Sequence, residues 1–342
     1  MKTQEKVKRN NRISWLDMAK GYGTLLVIFA HLGAGSIRTW IYTFHMPLFF
    51  LLSGYVFNEN YDFSNFIKKK CKSIVVPYFC LGIPMVLFEF LKYVYSGRFG
   101  VENSIALIKA FLMQRRLWTL WFIACLFCLN ILFFCIVKFC KSQWIVGFIS
   151  VLLPFVGLIY YGMGKGALPW NMDVCLMAIP FFFAGYCYKK HAVQVDAFLT
   201  KRWRSLVLFV VLALVNLVCA YFSLDETGVG LEMFDSKYGN PIFTYVAAFA
   251  GVACLVIFSK WFVIKPIRYI GENSMLYYAW HQTIMMPVVA KALAVVGVDA
   301  LNANGWIGNF IYKLIWMAGI VLIITMCNWM IKKLGWKFML GK

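Results

Sequence analysis

Charged residues are scarce in this sequence, and acidic ones are fewer than basic ones. Only 14% of the 342 residues are charged, whereas 62% are hydrophobic and 18% are aromatic. A soluble globular domain carries about 25% charged residues, so this composition excludes that class. It predicts an all-α, polytopic membrane protein, because a helix satisfies its own backbone hydrogen bonds in lipid.

Long polar stretches, heptad runs and internal repeats are also lacking, which leaves no room for a separate soluble domain. We therefore expect one integral-membrane domain over residues 1–342, beginning with a basic segment over residues 1–14. About ten helices are predicted to span the membrane, and nine or eleven also fit because one run is short and contains Pro180. The apolar runs cover residues 15–34, 39–57, 74–96, 118–138, 143–161, 172–188, 204–223, 241–259, 273–297 and 306–331.

Basic residues are concentrated in alternate loops, which predicts the orientation of the chain. Lys and Arg accumulate on the cytoplasmic side of bacterial membrane proteins, so both termini are expected in the cytoplasm and the chain in the bacterial cytoplasmic membrane. The formal net charge of +20 then reflects loops facing anionic lipid rather than nucleic-acid binding. One predicted outer segment is unusually basic, which fits an anionic ligand or contact with lipid headgroups. Its cations are Arg98, Lys109, Arg115 and Arg116.

Metal-ligand spacing is absent from the eleven cysteines apart from Cys125 and Cys128, which have no second ligand pair. The cysteines are interpreted as small apolar residues. The histidines lack the carboxylate or thiolate partners of a tetrahedral site. We therefore predict neither a metal nor a bound cofactor.

Histidine is rare, and three of the four histidines lie inside apolar stretches. These are His31, His45 and His281, and Lys20 precedes the first of them in the same predicted helix. An ionisable group at bilayer depth costs roughly 2.5 to more than 10 kcal/mol, so such groups usually face a protein interior or a watery cavity. This cluster favours a functional site, although each histidine alone also fits a hydrogen bond between helices.

The spacing in the first predicted hairpin places its polar residues together. Lys20 and His31 are eleven residues apart, which corresponds to three turns plus about 20° and a rise of about 16 Å. Asp17 falls on the same stripe, where it can pair with Lys20. His45 enters the second helix at a depth similar to His31, so the two imidazoles are expected to face each other. Pro47 bends that helix and indicates a cavity.

The stretches RISWLDMAKGYGTLLVIFAH and YTFHMPLFFLLSGYVF resemble the start of the membrane acyltransferase 3 family, and within it the fucose 4-O-acetylase-like branch. That family carries Arg or Lys, ten residues and then His in its first helix, which Lys20 and His31 match. It also commonly carries two arginines ahead of a Pro-Tyr, where KKKCKSIVVPY has Lys69 and Lys72 instead. This is a departure from the family pattern, because lysine cannot form the bidentate hydrogen bonds to phosphate that arginine forms. Weaker matches are LWTLWFIACLF, AIPFFFAGYCYKK and YIGENSMLYYAWHQ.

The resemblance implies transfer of an acyl group, usually acetyl from cytoplasmic acetyl-CoA, to a hydroxyl of a cell-surface or secreted glycan or its lipid-linked precursor. His31 would serve as general base or as transient acyl carrier. Lys20 would position the donor or hold the hairpin together through Asp17, and His45 would orient His31 or relay its proton. Donor phosphates would meet a basic cluster at the inner face. That cluster consists of Lys69, Lys70 and Lys72.

Acceptor binding is expected at the outer face. Trp118 and Trp121 fit stacking on a sugar ring, or equally an interfacial aromatic belt. Arg115 and Arg116 would contact the acceptor, and His281 would line the same cavity. A permease or flippase is the competing hypothesis, in which His and Lys relay protons and no covalent bond forms.

Overall fold

The computed structural model describes residues 13–342 of the chain. Within this range the protein is helical and contains no strand, apart from an isolated bridge between Glu232 and Lys237. The all-α prediction is thus confirmed. Residues 1–12 of the predicted basic segment lie outside the described residues.

Sixteen α-helices follow one another between Ser14 and Lys333. The first eight are α1 (Ser14–His31), α2 (Ser36–Tyr42), α3 (His45–Tyr55), α4 (Phe63–Lys70), α5 (Val76–Tyr95), α6 (Val101–Met113), α7 (Trp121–Phe139) and α8 (Gln143–Gly162). The others are α9 (Met172–Lys190), α10 (Ala192–Thr200), α11 (Arg202–Phe222), α12 (Pro241–Trp261), α13 (Lys265–Glu272), α14 (Ser274–Trp280), α15 (Met286–Val295) and α16 (Gly305–Lys333). Two π-helical turns, Cys71–Val75 and His281–Met285, join α4 to α5 and α14 to α15.

Seven helices of the described chain are long and apolar enough to cross a membrane. The predicted run 39–57 is instead divided between α2 and α3, with Thr43 and Phe44 between them. The run 273–297 contains a π turn in its middle, and α1 carries Asp17 and Lys20 within its 18 residues. These three segments account for the difference from the expected ten.

Loops that were predicted to share one side of the membrane meet at the same end of the bundle. At one end, Arg38 pairs with Glu232 over 2.9 Å. At the other end, Lys189 donates to the carbonyl of Phe57 over 2.8 Å. We call these ends the predicted outer end and the predicted inner end.

Close helix packing depends on glycine at the contact between α3 and α9. A Cβ built on Gly54 would lie 1.9 Å from the carbonyl oxygen of Phe182, and one on Gly185 would lie 1.9 Å from that of Leu51. Small residues let helix backbones approach closely in membranes, where van der Waals packing replaces the hydrophobic effect.

Helix α1 is held in the same way against α13. A Cβ on Gly21 would lie 2.1 Å from the carbonyl oxygen of Ile267, and one on Gly271 would lie 1.7 Å from that of Asp17. This contact anchors the first half of α1, which leads to His31 at its last residue.

Candidate functional site

A cavity of about 650 Å³ opens at the predicted outer end, beside the last turn of α1. Its walls come from α2, α3, α5, the segment before α7, the loop before α12 and the π turn after α14. The lining residues that carry polar or aromatic groups include His31, Arg38, Tyr42, His45, Glu89, Lys92, Arg116, Trp118, Trp121, Glu232, Asp235, Tyr278, Gln282 and Thr283. The size is within the range of ordinary ligand sites.

The three membrane histidines are held in the same tautomer. Each Nδ1 lies within hydrogen-bond distance of a backbone carbonyl three or four residues earlier in the chain, and because a carbonyl only accepts, Nδ1 must carry a proton. The distances are 2.8 Å from His31 to Val27, 3.0 Å from His45 to Ile41, and 3.1 and 2.8 Å from His281 to Tyr277 and Tyr278. In the neutral form of each ring, Nε2 is therefore the atom with the lone pair.

His281 lies directly behind His31 and is fully buried. Its Nε2 is 3.4 Å from Nδ1 of His31, and the two ring centroids are 5.0 Å apart. His281 begins the π turn, a distortion that is frequent at functional sites. His281 thus contacts His31 rather than the cavity that it was predicted to line.

Tyr42 lies between His31 and His45, which were expected to face each other directly. Its hydroxyl is 3.5 Å from Nε2 of His31, and its ring centroid is 4.7 Å from that of His45. The guanidinium of Arg38 lies over the Tyr42 ring at 4.8 Å. Because α2 ends at Tyr42 and α3 begins at His45, the break between these helices brings both rings to the cavity wall.

Arg116 connects three parts of the outer end. Its guanidinium donates to Asn171 over 2.7 Å and contacts the carboxylate of Asp173 and the hydroxyl of Ser236. The residue has a φ of 57°, a conformation that costs free energy in a non-glycine residue. The strain is offset by these contacts, which fix the wall between α6 and α7.

The loop over residues 223–240 closes the remaining side of the cavity. Glu232 and Lys237 form a short bridge, and the carboxylate of Asp225 accepts hydrogen bonds from Thr227 and from the backbone of Val229. These hydrogen bonds from Thr227 and Val229 lower the pKa of Asp225 below its usual range. The loop is thus ordered by its own turns as well as by Arg116.

Lys20 and Asp17 lie deeper along α1 and do not line this cavity. Asp17 is buried, and the carbonyl of Lys20 accepts from the hydroxyl of Thr24 over 2.7 Å. Their predicted place on the stripe that leads to His31 follows from the unbroken helix Ser14–His31.

The three lysines predicted to bind the donor lie in α4 and in the π turn that follows it, away from the cavity. Lys69 contacts Tyr61 through a hydrogen bond and lies 3.9 Å from the centre of its ring. Lys70 lies 5.4 Å from the ring centre of Phe66, and Lys72 is exposed.

Of the residues predicted to contact the acceptor, Trp118, Trp121 and Arg116 line the cavity, whereas Arg115 is exposed outside it. The roles of all these residues stay predictions.

Sequence reasoning missed several residues of the site. Tyr42 lies three residues before His45, but the helix breaks between them, so helical spacing gave no signal for Tyr42. Asp173, an acidic residue at the start of an apolar run, was a usable signal. Gln282 and Thr283 carried no local signal, because only the π turn directs them to the cavity.

Cys125 and Cys175 are buried neighbours, with their sulfur atoms 3.6 Å apart. Among residues 13–342 no group of three or more His, Cys, Asp or Glu is arranged to hold a metal ion.

Comparison with known proteins gives two matches. A family model described as an acyltransferase domain matches residues 13–333. The nodulation protein NolL of Sinorhizobium fredii (strain NBRC 101917 / NGR234) is 24% identical over 302 residues, which cover 79% of this chain and 77% of NolL. No solved structure matches the chain.

Proposed function

The chain belongs to the acyltransferase domain family, and from that membership we propose that it transfers acetyl from cytoplasmic acetyl-CoA to a sugar hydroxyl. The protein is a multi-pass membrane acyltransferase. The proposed acceptor is a cell-surface or secreted polysaccharide, or its lipid-linked precursor, and the proposed location is the bacterial cytoplasmic membrane.

One observation carries the proposal: His31 presents a basic nitrogen at a cavity wall, with its other nitrogen already engaged. Nδ1 of His31 donates to Val27 over 2.8 Å, so Nε2 keeps its lone pair. A general base needs a lone pair within hydrogen-bond reach of the proton that it removes. In the neutral ring of His31 this lone pair is on Nε2, and the cavity provides room for a hydroxyl beside it.

In the proposed reaction the acceptor hydroxyl oxygen attacks the carbonyl carbon of the thioester, and Nε2 of His31 takes the hydroxyl proton. The C–S bond then breaks, the sugar ester forms, and the imidazolium of His31 passes the proton to the thiolate of CoA. The same Nε2 is also suited to carry the acetyl group transiently before the hydroxyl attacks.

The neighbouring rings have supporting roles. The Tyr42 hydroxyl, 3.5 Å from Nε2 of His31, is placed to donate to the developing oxyanion or to the acceptor. His45, on the far side of Tyr42, continues this line of proton-bearing groups. His281 orients His31 from behind, and it is therefore a positioning residue in this scheme.

The donor is proposed to bind at the opposite end, through phosphate contacts with Lys69, Lys70 and Lys72. Lys69 and Lys72 are exposed and therefore available to an anionic ligand. The thioester arm would then extend along α1 past Lys20 toward His31. The rise from Lys20 to His31 in a helix is about 16 Å.

The test is the O-acetyl content of the cell-surface polysaccharide, measured by proton NMR in a deletion strain. The strain is complemented with wild-type protein, with His31→Ala or with His191→Ala, a matched control because His191 is exposed at the end of α9. We expect acetyl signal with wild type and with His191→Ala, and none with His31→Ala at equal membrane levels. An acetyl signal that is the same with and without the protein would contradict the proposal and favour the permease hypothesis.

A further inference from the structure

Every cation that lines the large cavity is already paired with a carboxylate. Arg38 and Glu232 are 2.9 Å apart, Lys92 and Glu89 are 2.8 Å apart, and Arg116 contacts Asp173. The unusual positive charge expected at this end of the protein is therefore neutralised where it reaches the cavity.

The balance of charge is slightly negative. Asp235 also lines the cavity. Together with the three paired carboxylates this makes four acidic groups against three cations. An anionic ligand that approached Arg38 would come beside Glu232 as well, and the repulsion would cancel much of the attraction. The Arg116 guanidinium is engaged by Asn171 and Ser236 besides Asp173, which leaves little of its donor capacity for a ligand.

The rest of the wall is aromatic or neutral. Tyr42, Trp118, Trp121 and Tyr278 contribute rings, and Gln282 contributes an amide. An uncharged pyranose has C–H faces that pack on aromatic rings and hydroxyls that exchange hydrogen bonds with neutral polar groups. Carboxylates accept hydrogen bonds from sugar hydroxyls, whereas they repel a uronate or a phosphate.

We infer that the group bound in this cavity is an uncharged sugar, and that Glu89 and Glu232 help to exclude anionic sugars. The inference rests on the proposed function, since it names the acceptor class of the same site. It also places the phosphates of the acyl donor outside the cavity.

The experiment compares sugars that differ only at C6, with the full-length protein in lipid nanodiscs. The probes are p-nitrophenyl β-galactoside against the β-galacturonide, and p-nitrophenyl β-glucoside against the β-glucuronide. Dissociation constants are measured by saturation-transfer NMR, without acetyl-CoA. In at least one pair, we expect the dissociation constant of the neutral glycoside to be at least tenfold lower than that of its uronide.

The variant Glu89→Gln with Glu232→Gln removes two lining carboxylates and should reduce this preference to threefold or less. Glu102→Gln is the matched control, since Glu102 is exposed in the first turn of α6, outside the cavity. Glu89→Gln alone is measured in parallel, because it leaves the Arg38–Glu232 pair intact, and it should lower the preference by an intermediate amount.

Equal or tighter binding of the uronides by wild type would overturn the inference, and so would the absence of binding by any of the four glycosides. An unchanged preference in both Glu89 variants would also overturn it. Acetyl transfer to the same probes is assayed separately. Neutral sugars that bind without being acetylated would contradict the proposed function and leave the inference standing.

Discussion

Nε2 of His281 lies 3.4 Å from Nδ1 of His31, so the Nδ1 proton of His31 is shared between this nitrogen and the carbonyl of Val27. Two acceptors on one N–H determine both the tautomer and the tilt of the ring. His31 is consequently held with Nε2 on the side of Tyr42 and the cavity. His281, which is buried and does not line the cavity, thereby helps to determine which nitrogen of His31 faces the cavity.

Replacing His281 should slow catalysis without weakening substrate binding. In His281→Ala we expect kcat to fall about tenfold, the effect of losing roughly one neutral hydrogen bond in the transition state, while KM for the acceptor stays within twofold. The measurement is acetyl transfer under steady-state conditions. His281→Asn, whose amide oxygen can accept from His31, should recover part of kcat. A rise in KM with unchanged kcat would instead indicate that His281 binds the acceptor.

Arg116→Lys should damage the cavity wall, because a lysine cannot reach Asn171, Asp173 and Ser236 at once. We expect a loss of about 1–3 kcal/mol in stability and faster proteolysis in the loop over residues 223–240. The control is Arg115→Lys, which alters the exposed neighbour outside the cavity. Equal proteolysis of the two variants would show that Arg116 does not organise this end.

Gly54→Ala should destabilise the contact between α3 and α9. The added methyl group would lie 1.9 Å from the carbonyl oxygen of Phe182, so the helices must separate. Overpacking of this kind costs about 1–3 kcal/mol or more. Thermal unfolding in detergent would reveal a lower midpoint. Gly162→Ala is the matched control, since nothing lies within 4 Å of a Cβ there, and a similar loss in both variants would contradict the packing argument.

Lys69→Ala with Lys72→Ala should raise KM for acetyl-CoA and leave kcat nearly unchanged. Exposed ion pairs contribute about 0.2–1 kcal/mol each, so for two lysines we expect an increase of roughly two- to thirtyfold that shrinks at high salt. Lys68→Ala, the exposed neighbour, serves as the control. An unchanged KM for acetyl-CoA in the double variant would contradict donor binding at these lysines.

Much of the architecture was predictable from local properties of the chain. Apolar length placed α5, α7, α8, α9, α11, α12 and α16 within a few residues of their observed bounds. The broken segments were harder, because the break between α2 and α3 and the π turn at His281 depend on packing against other helices. The similar predicted depths of His31 and His45 in the first hairpin also placed them near one another, but depth could not supply Tyr42 between them.

The sequence by itself determined that the chain forms membrane helices, which loops share an end, and that three histidines lie in apolar surroundings, since hydrophobic length and charge are properties of short segments. The tertiary structure decided the rest. His31 meets His281 across 250 residues of chain, and Arg116 meets Ser236 across 120. Such contacts determine the tautomers, the paired charges and the shape of the cavity, because they depend on how distant helices pack rather than on the order of residues within any one of them.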